Sequence, residues 1–367
     1  MRNSIRSRIP HLICAVVLLA TLYAGLTPFQ KPRNAVTWLG TVNGLRFARY
    51  GTIYSFGTFQ APLQRGQAQC SLELWLQPAS VTASSTILSF YSPEHPLKFR
   101  LLQYRAMFIL ERTNQNERNH PRIIGVNGAF RSLGPVFITL TSGEDGSAMY
   151  LDGKLARSFP HVQFAEDCSG DLIIGTSTVG KDAWAGQLRG LAFYRHELSP
   201  SEVLSHLQNW ENAGRPELND AQQAAAVYLF DEHGGEIVRN AVRPGIDLII
   251  PDRFSIRKQP FLEPFWEEYK PGFGYWKDVV INVVGFIPLG FAFFAYWSLV
   301  RPIKHPYWVT IVLGFAVSLT IEVLQSFLPT RDSGTTDLIT NTLGTFFGVR
   351  LCAMSVARAF ISKFYQV

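Results

Sequence analysis

The chain has 367 residues, 47% of them hydrophobic and 17% charged, with a mean hydropathy of +0.07. That is too apolar for an ordinary soluble protein and too polar for one made only of membrane spans, so two kinds of segment are expected, with room for two or three domains. The formal net charge is +6, but the basic residues gather beside apolar runs and accompany no nucleic-acid motif. They are assigned to membrane topology, which excludes a nucleic-acid partner.

Residues 1–35 read as a first transmembrane helix: Arg2, Arg6 and Arg8 precede an apolar run from Leu12 to Phe29. The run ends in Leu22-Tyr23-Ala24-Gly25-Leu26, a poor match to the small residues of a cleavage site, so an uncleaved helix is expected over a signal peptide. Lys31 and Arg33 follow on the outer side, outweighed by the three arginines nearer the terminus.

From residue 36 to residue 255 the helical period vanishes. Short alternating runs bounded by Gly, Pro, Asn and Ser, such as SLELWLQP, STILSFYS, VFITLTS and DLIIGTS, predict an all-β sandwich. Asp152-Gly153 between MYL and KLA is a two-residue hairpin signal, which accounts for Asp152 more simply than a metal site does. Cys70 and Cys168 fall in this region, where a disulfide between them is open; Cys14 and Cys352 fall in apolar helices and read as filler. Glu73 stands alone on SLELW and is expected on the solvent face of its strand. Cys70-SLELWLQP, AMYLDGKLA and WAGQLRGLAFYRHELSPSEV, the last with Ser199 as N-cap and Pro200 at the first helical position, resemble the laminin-G-like, concanavalin A-like lectin/glucanase jelly roll. Tyr228-Leu229-Phe230-Asp231-Glu232 and Asp247-Leu248 look like further pieces of such a sandwich, placed late enough to leave the strand order open. The resemblance implies a sugar binder or a glycoside hydrolase. No E-x-D-x-x-E strand carries a carboxylate pair, which favours binding over hydrolysis.

Residues 256–277 form an aromatic linker, with Trp266, Tyr269, Phe273, Tyr275 and Trp276 placed for a membrane interface or, alternatively, for stacking on a sugar ring. Residues 278–367 hold three further apolar runs, about Val279–Val300, Trp308–Leu328 and Leu338–Val356, each of about 20 residues and long enough to cross a bilayer. Polar residues repeat in them at i, i+4, i+7: Asp278, Asn282 and Gly285; Ser318, Glu322 and Gln325; Asp337, Asn341 and Gly344. Each trio makes one stripe on one helix face. Arg2, Arg6 and Arg8 place the N-terminus in the cytoplasm, Arg301, Lys304 and His305 place the connection between the second and third runs there, and Arg358 and Lys363 place the tail there, which leaves the sandwich outside; Arg331 breaks that charge rule from the outer loop it shares with Asp332. Glu322 lies about 9 Å inside its helix end and needs a partner, for which Arg331 is the candidate. The alternative is purely structural: amides bonding between helices, Gly285, Gly344 and Gly348 allowing close approach, and Asp278 and Asp337 as caps.

The ordered motif Asp278-x3-Asn282, FIPLG, Ser318-x3-Glu322-x2-Gln325, Arg331, Asp337-x3-Asn341-x2-Gly344-x3-Gly348, with Thr27-Pro28-Phe29 after the first helix, resembles the VanZ-like family. The resemblance implies a bacterial membrane protein, in a family named for a teicoplanin-resistance determinant, here split by the inserted sandwich. The expected fold is a membrane bundle of four transmembrane helices plus an all-β jelly-roll sandwich. The expected protein sits in the bacterial cytoplasmic membrane. Its sandwich binds a wall or exopolysaccharide glycan, and its membrane domain binds a lipid headgroup or lipid-linked carrier, with no cofactor or metal. Two alternatives stay open: an enzyme acting on a lipid-linked envelope precursor, with Glu322 or Asp337 as general acid/base and Arg331 as phosphate clamp, and a scaffold for envelope assembly.

Overall fold

The computed structural model describes residues 8–61, 63–64, 67–95, 98–113, 122–178, 182–216, 223–257, 259, 261–269, 272–331 and 333–354. Arg2, Arg6, Arg358 and Lys363, on which part of the topology reading rests, and Asp332 lie outside the described residues. The chain divides into two units, Pro32–Lys258 and a second made of Met1–Lys31 with Gln259–Val367.

The first unit is a sandwich of two antiparallel sheets, its strands numbered in chain order. One sheet runs β1 (Val36–Trp38), β2 (Leu45–Phe47), β15 (Gly186–Tyr194), β6 (Cys70–Pro78), β11 (Val136–Gly143), β12 (Gly146–Leu151), β13 (Lys154–Phe159), with β16 (Ala224–Tyr228) beside β15. The other runs β10 (Arg122–Asn127), β9 (Met107–Arg112), β8 (Phe99–Tyr104), β7 (Ser84–Tyr91), β14 (Gly170–Ile174), β3 (Ile53–Phe59), β18 (Leu248–Ile249), β17 (Ile237–Val238). Between the sheets lies a core in which Leu72, Leu74, Leu76, Leu88, Phe99 and Phe108 are fully buried. Asp152 and Gly153 turn β12 into β13 with φ of 48° and 74°, the double positive φ of a type I′ turn. The late segments close the strand order: β16 pairs with β15 and β18 pairs with β3.

Helix α2 (Pro200–Ala213) covers the outer face of the first sheet. Ser199 accepts from the Glu202 backbone N–H while the Glu202 side chain accepts from the Ser199 N–H, and Gly214 ends the helix at φ 66°. This is a capping box with a left-handed C-cap. Its buried face, Val203, His206 and Trp210, makes a second apolar layer with Phe137, Tyr194 and Val227. The Trp210 ring lies over Gly190, where a Cβ would come within 2.5 Å of it. This layer overturns the solvent-facing reading of Glu73. Glu73 does point away from the inter-sheet core, but α2 roofs it and its exposure is 0%.

The second unit is helical: α1 (Ile9–Leu26), a single turn α3 (Phe265–Glu268), α4 (Phe273–Ala295) running on as π-helix to Val300, α5 (Pro306–Gln325) and α6 (Thr335–Ala353). Three helices, Ile9–Leu26, Phe273–Val300 and Pro306–Gln325, are long and apolar enough to cross a membrane, and they expose Leu12, Leu19, Val284 and Val312. The sequence reading counted four crossings. Among the described residues α6 falls short of the other three in hydropathy, because five threonines, Asp337, Asn341 and Arg350 interrupt its apolar run. Those residues have neighbours within the unit. A Cβ on Gly344 or Gly348 would collide with the Val283 or Ile287 carbonyl of α4, and one on Gly290 of α4 would collide with Thr345. Gly285, in contrast, has open space around it, so the close approach of α4 runs through Gly290 instead.

Candidate functional site

In the helical unit, α5 buries Ser318, Glu322 and Gln325, at 0%, 1% and 7% exposure. From α6, the Asn341 amide donates to Ser318 Oγ at 3.0 Å. From α4, the Asn282 amide donates to Asp337 Oδ1 at 2.7 Å. One member of each polar stripe therefore bonds to a stripe on a neighbouring helix. Gln325 instead ties α5 to α1, donating to the Gly25 carbonyl at 2.7 Å. Asp278 is exposed and lies off this network.

Glu322 does not take Arg331 as its partner. Its Oε2 accepts the Gly334 backbone N–H at 2.9 Å, and Ser333 is also hydrogen-bonded to it. The Arg331 guanidinium donates to the Thr27 carbonyl at the end of α1. The arithmetic of helix rise assumed a helix reaching Leu328; α5 ends at Gln325, so Glu322 lies in its last turn, and the loop beyond folds Ser333 and Gly334 back over the carboxylate.

Two further acids act on Glu322 electrostatically, Asp337 and Glu268. Glu268 escaped the sequence reading. It ends the turn α3 in the aromatic linker, and its Oε2 accepts the Thr336 N–H at 2.9 Å, at the first turn of α6. The available signal was the pair Glu267-Glu268 beside an apolar run. Gln259 adds a bond to the Arg331 carbonyl at 3.0 Å. The Asn341 Oδ1 is buried without a hydrogen-bond partner. Among the described residues no group of three or more His, Cys, Asp or Glu side chains is placed to hold a metal ion. The cluster is thus rich in carboxylate and amide, with Arg331 held by α1.

In the sandwich, Glu73 is held differently. His206 Nδ1 lies 2.7 Å from its Oε1, and Tyr194 Oη and Trp210 Nε1 donate to its Oε2 at 2.9 and 3.1 Å. Burial, and then the Glu73 charge, push the Tyr194 hydroxyl well above its ordinary pKa, so it stays a donor. No catalytic geometry is open here, because every group is covered.

The outer face of the second sheet holds a recess of about 430 Å³. Leu102, Tyr104, Ile109 and Glu111 line it, alternating along β8 and β9 with core residues. Arg100 bonds Glu111 at 2.6 Å and lies 4.0 Å from Asp182, which accepts from Thr86 at 2.6 Å. Tyr104 is 51% exposed. The recess thus sets an exposed tyrosine beside an Arg–carboxylate triad.

The VanZ/LLP1 family model matches residues 231–357, and the model described as the concanavalin A-like lectin/glucanases superfamily matches residues 54–204. The chain joins a VanZ-like segment to a laminin-G-like domain. Glu268, Glu322, Arg331, Asp337 and Asn341 all fall in the VanZ-like segment, while α1 precedes it. The recess and Glu73 fall in the laminin-G-like domain, apart from its roof residues His206 and Trp210. Solved structures with a similar fold include a heptameric SAP-like pentraxin from Limulus polyphemus, 14% identical at a TM-score of 0.39, covering 60% of this chain and 96% of that one. Another is the Ruminococcus gnavus IT-sialidase CBM40 bound to alpha2,3 sialyllactose, 14% identical at a TM-score of 0.34, covering 44% and 95%. A third is the botulinum neurotoxin type G receptor binding domain, 14% identical at a TM-score of 0.31, covering 48% and 51%. No curated protein matches the chain.

Proposed function

We propose that this is a bacterial cell-envelope membrane protein with two binding functions. Its VanZ-like unit binds the polar headgroup of a lipid or lipid-linked carrier, and its sandwich, outside the cytoplasm, binds an envelope glycan. The observation that carries this reading is the setting of Glu322. Glu322 stands in the last turn of α5 but is 1% exposed, so its carboxyl group is withdrawn from solvent and depends on the partners around it. Here the described neighbours that reach Glu322 are an N–H, a hydroxyl and two more acids. Asp337 and Glu268 have structural bonds of their own, to Asn282 and to the Thr336 N–H, but neither gives Glu322 a cation, and an ionisable group inside a span is a functional site by default. Hydroxyl or ammonium groups of a headgroup would satisfy the carboxylates, and Arg331 is the nearby cation for a phosphate. Support for the glycan half is the Tyr104 recess.

The test is the full chain purified in mild detergent, with its co-purifying lipids identified by mass spectrometry, beside Glu322→Gln and Arg331→Ala. A polyprenyl-linked or glycolipid species held by the wild type and lost from both variants is the expected result. Bulk phospholipid, equal in all three, would overturn the headgroup site. The same preparation on a glycan array tests the other half, where Tyr104→Ala is expected to lose the signal.

A further inference from the structure

The four cysteines fall into two classes. Cys14 and Cys352 are buried in the helical unit, and the Cys14 thiol is directed at the Ala292 carbonyl at 3.7 Å. Cys70 and Cys168 are buried in the sandwich as free thiols, at 2% and 4% exposure, near enough to act on each other electrostatically, with the Cys168 Sγ donating to the Phe164 carbonyl at 3.8 Å. Cys70 is the first residue of β6 in one sheet. Cys168 lies two residues before β14 in the other. Both also line one cavity of about 290 Å³, walled by Phe59, Phe193 and Ile246. Two thiols that face one cavity from opposite sheets are the arrangement a disulfide across the sandwich requires.

We propose that Cys70 and Cys168 form a disulfide that staples the two sheets of the sandwich. The proposal rests on the sandwich lying outside the cytoplasm, where such bonds persist. The oxidant is a disulfide-bearing molecule, either a protein or oxidised glutathione. The Cys70 thiolate attacks one sulfur of that disulfide, forming a mixed disulfide and releasing the other sulfur as a thiolate. The Cys168 thiolate then attacks the Cys70 sulfur and expels the second thiolate. The two cysteines lose two protons and two electrons, and the oxidant is reduced to two thiols, a dithiol in a protein oxidant or two molecules of glutathione. Burial pushes the Cys168 thiol well above its ordinary pKa, which makes its thiolate rare in the closed sandwich. The bond therefore closes during folding and is protected afterwards.

Cells expressing the full chain are quenched in acid and the protein denatured. Free thiols are blocked with one alkylating label, and a second label is applied after reduction. Peptide mass spectrometry should find the second label on Cys70 and Cys168 and the first on Cys14 and Cys352. Reduction should lower the unfolding temperature of the wild type by roughly 5–15 °C and leave that of Cys70→Ser/Cys168→Ser unchanged. The first label on both Cys70 and Cys168 would overturn the proposal. Refolding the chain in oxidised glutathione then separates the causes: a bond formed there faults the placement outside the cytoplasm, and no bond faults the pairing itself.

Discussion

Each unit buries one glutamate almost completely, Glu73 in the sandwich at 0% and Glu322 in the helical unit at 1%. Their surroundings are opposite. Glu73 meets an imidazole, a phenol and an indole, enough donors for both oxygens. Glu322 meets one backbone N–H and one hydroxyl, with Asp337 and Glu268 adding charge of its own sign. A buried carboxylate saturated by donors belongs to the architecture, because removing it orphans everything aimed at it. A buried carboxylate among carboxylates is held in place by the fold around it at a cost to stability, and this is the setting on which the proposed headgroup site rests.

The largest effect that would break this contrast is Glu73→Ala. It leaves the His206, Tyr194 and Trp210 donors buried with no acceptor, and breaking such a pair costs about 3–5 kcal/mol. Urea unfolding of the full chain in detergent, followed by near-ultraviolet circular dichroism, measures it. A loss below about 1 kcal/mol, the net worth of an ordinary hydrogen bond, would mean that Glu73 is no more structural than Glu322.

A smaller effect, on the helix that roofs Glu73, sharpens the sandwich side of the comparison. Ser199→Ala removes the N-cap and should cost about 1 kcal/mol. The same cap gives a pH signature. Burial alone would raise the Glu202 carboxyl, but the hydrogen bonds from Ser199 and the nearby His196 outweigh it and hold the pKa below its ordinary 4.5. A lowered carboxyl pKa contributes stability that is present above the unfolded-state value and lost as pH falls through the folded-state value. The stability gap between the wild type and Glu202→Gln should therefore narrow on acidification through the carboxylate range. A gap independent of pH would show that the cap acts through Ser199 alone.

What was legible in the sequence follows the range of the interaction. The Asp152-Gly153 turn, the Ser199 cap and the alternating strands depend on neighbours a few residues away, and they appear in the structure where their residues stand. Glu73 was misplaced because its roof arrives more than a hundred residues later in the chain. The signal for it was present in His206 and Trp210, one turn apart on the capped helix, but nothing local couples them to β6. In the helical unit the period placed Asn282, Glu322 and Asn341 on packed helix faces, since that depends on helix geometry alone. It could not say which side chain meets which. Glu322 was matched with Arg331 on charge, whereas the turn at Ser333 and Gly334 supplies a backbone donor in its place. Glu268 was missed because an acid in an aromatic linker reads as solvated until the chain is folded. The fourth apolar run was read as a span on its length; among its described residues the threonines, Asp337, Asn341 and Arg350 lower its hydropathy below that of the other three.

The smallest effect on stability is predicted at Glu322 itself, and it is the most decisive for the contrast. Glu322→Gln keeps the shape of the side chain, and its amide oxygen still accepts the Gly334 N–H. It also removes an ionisable acid from beside Asp337 and Glu268. The fold should therefore be unchanged or slightly more stable, with a shift within about 0.5 kcal/mol of zero or in the stabilising direction. If Glu322 were structural in the way Glu73 is, the same substitution would lower the detergent-solubilised unfolding temperature by several degrees, since a charge-assisted bond to a buried donor would be weakened. Loss of the co-purified lipid without loss of stability places Glu322 with binding. Loss of both together would place it with the architecture and would remove the distinction between the two glutamates.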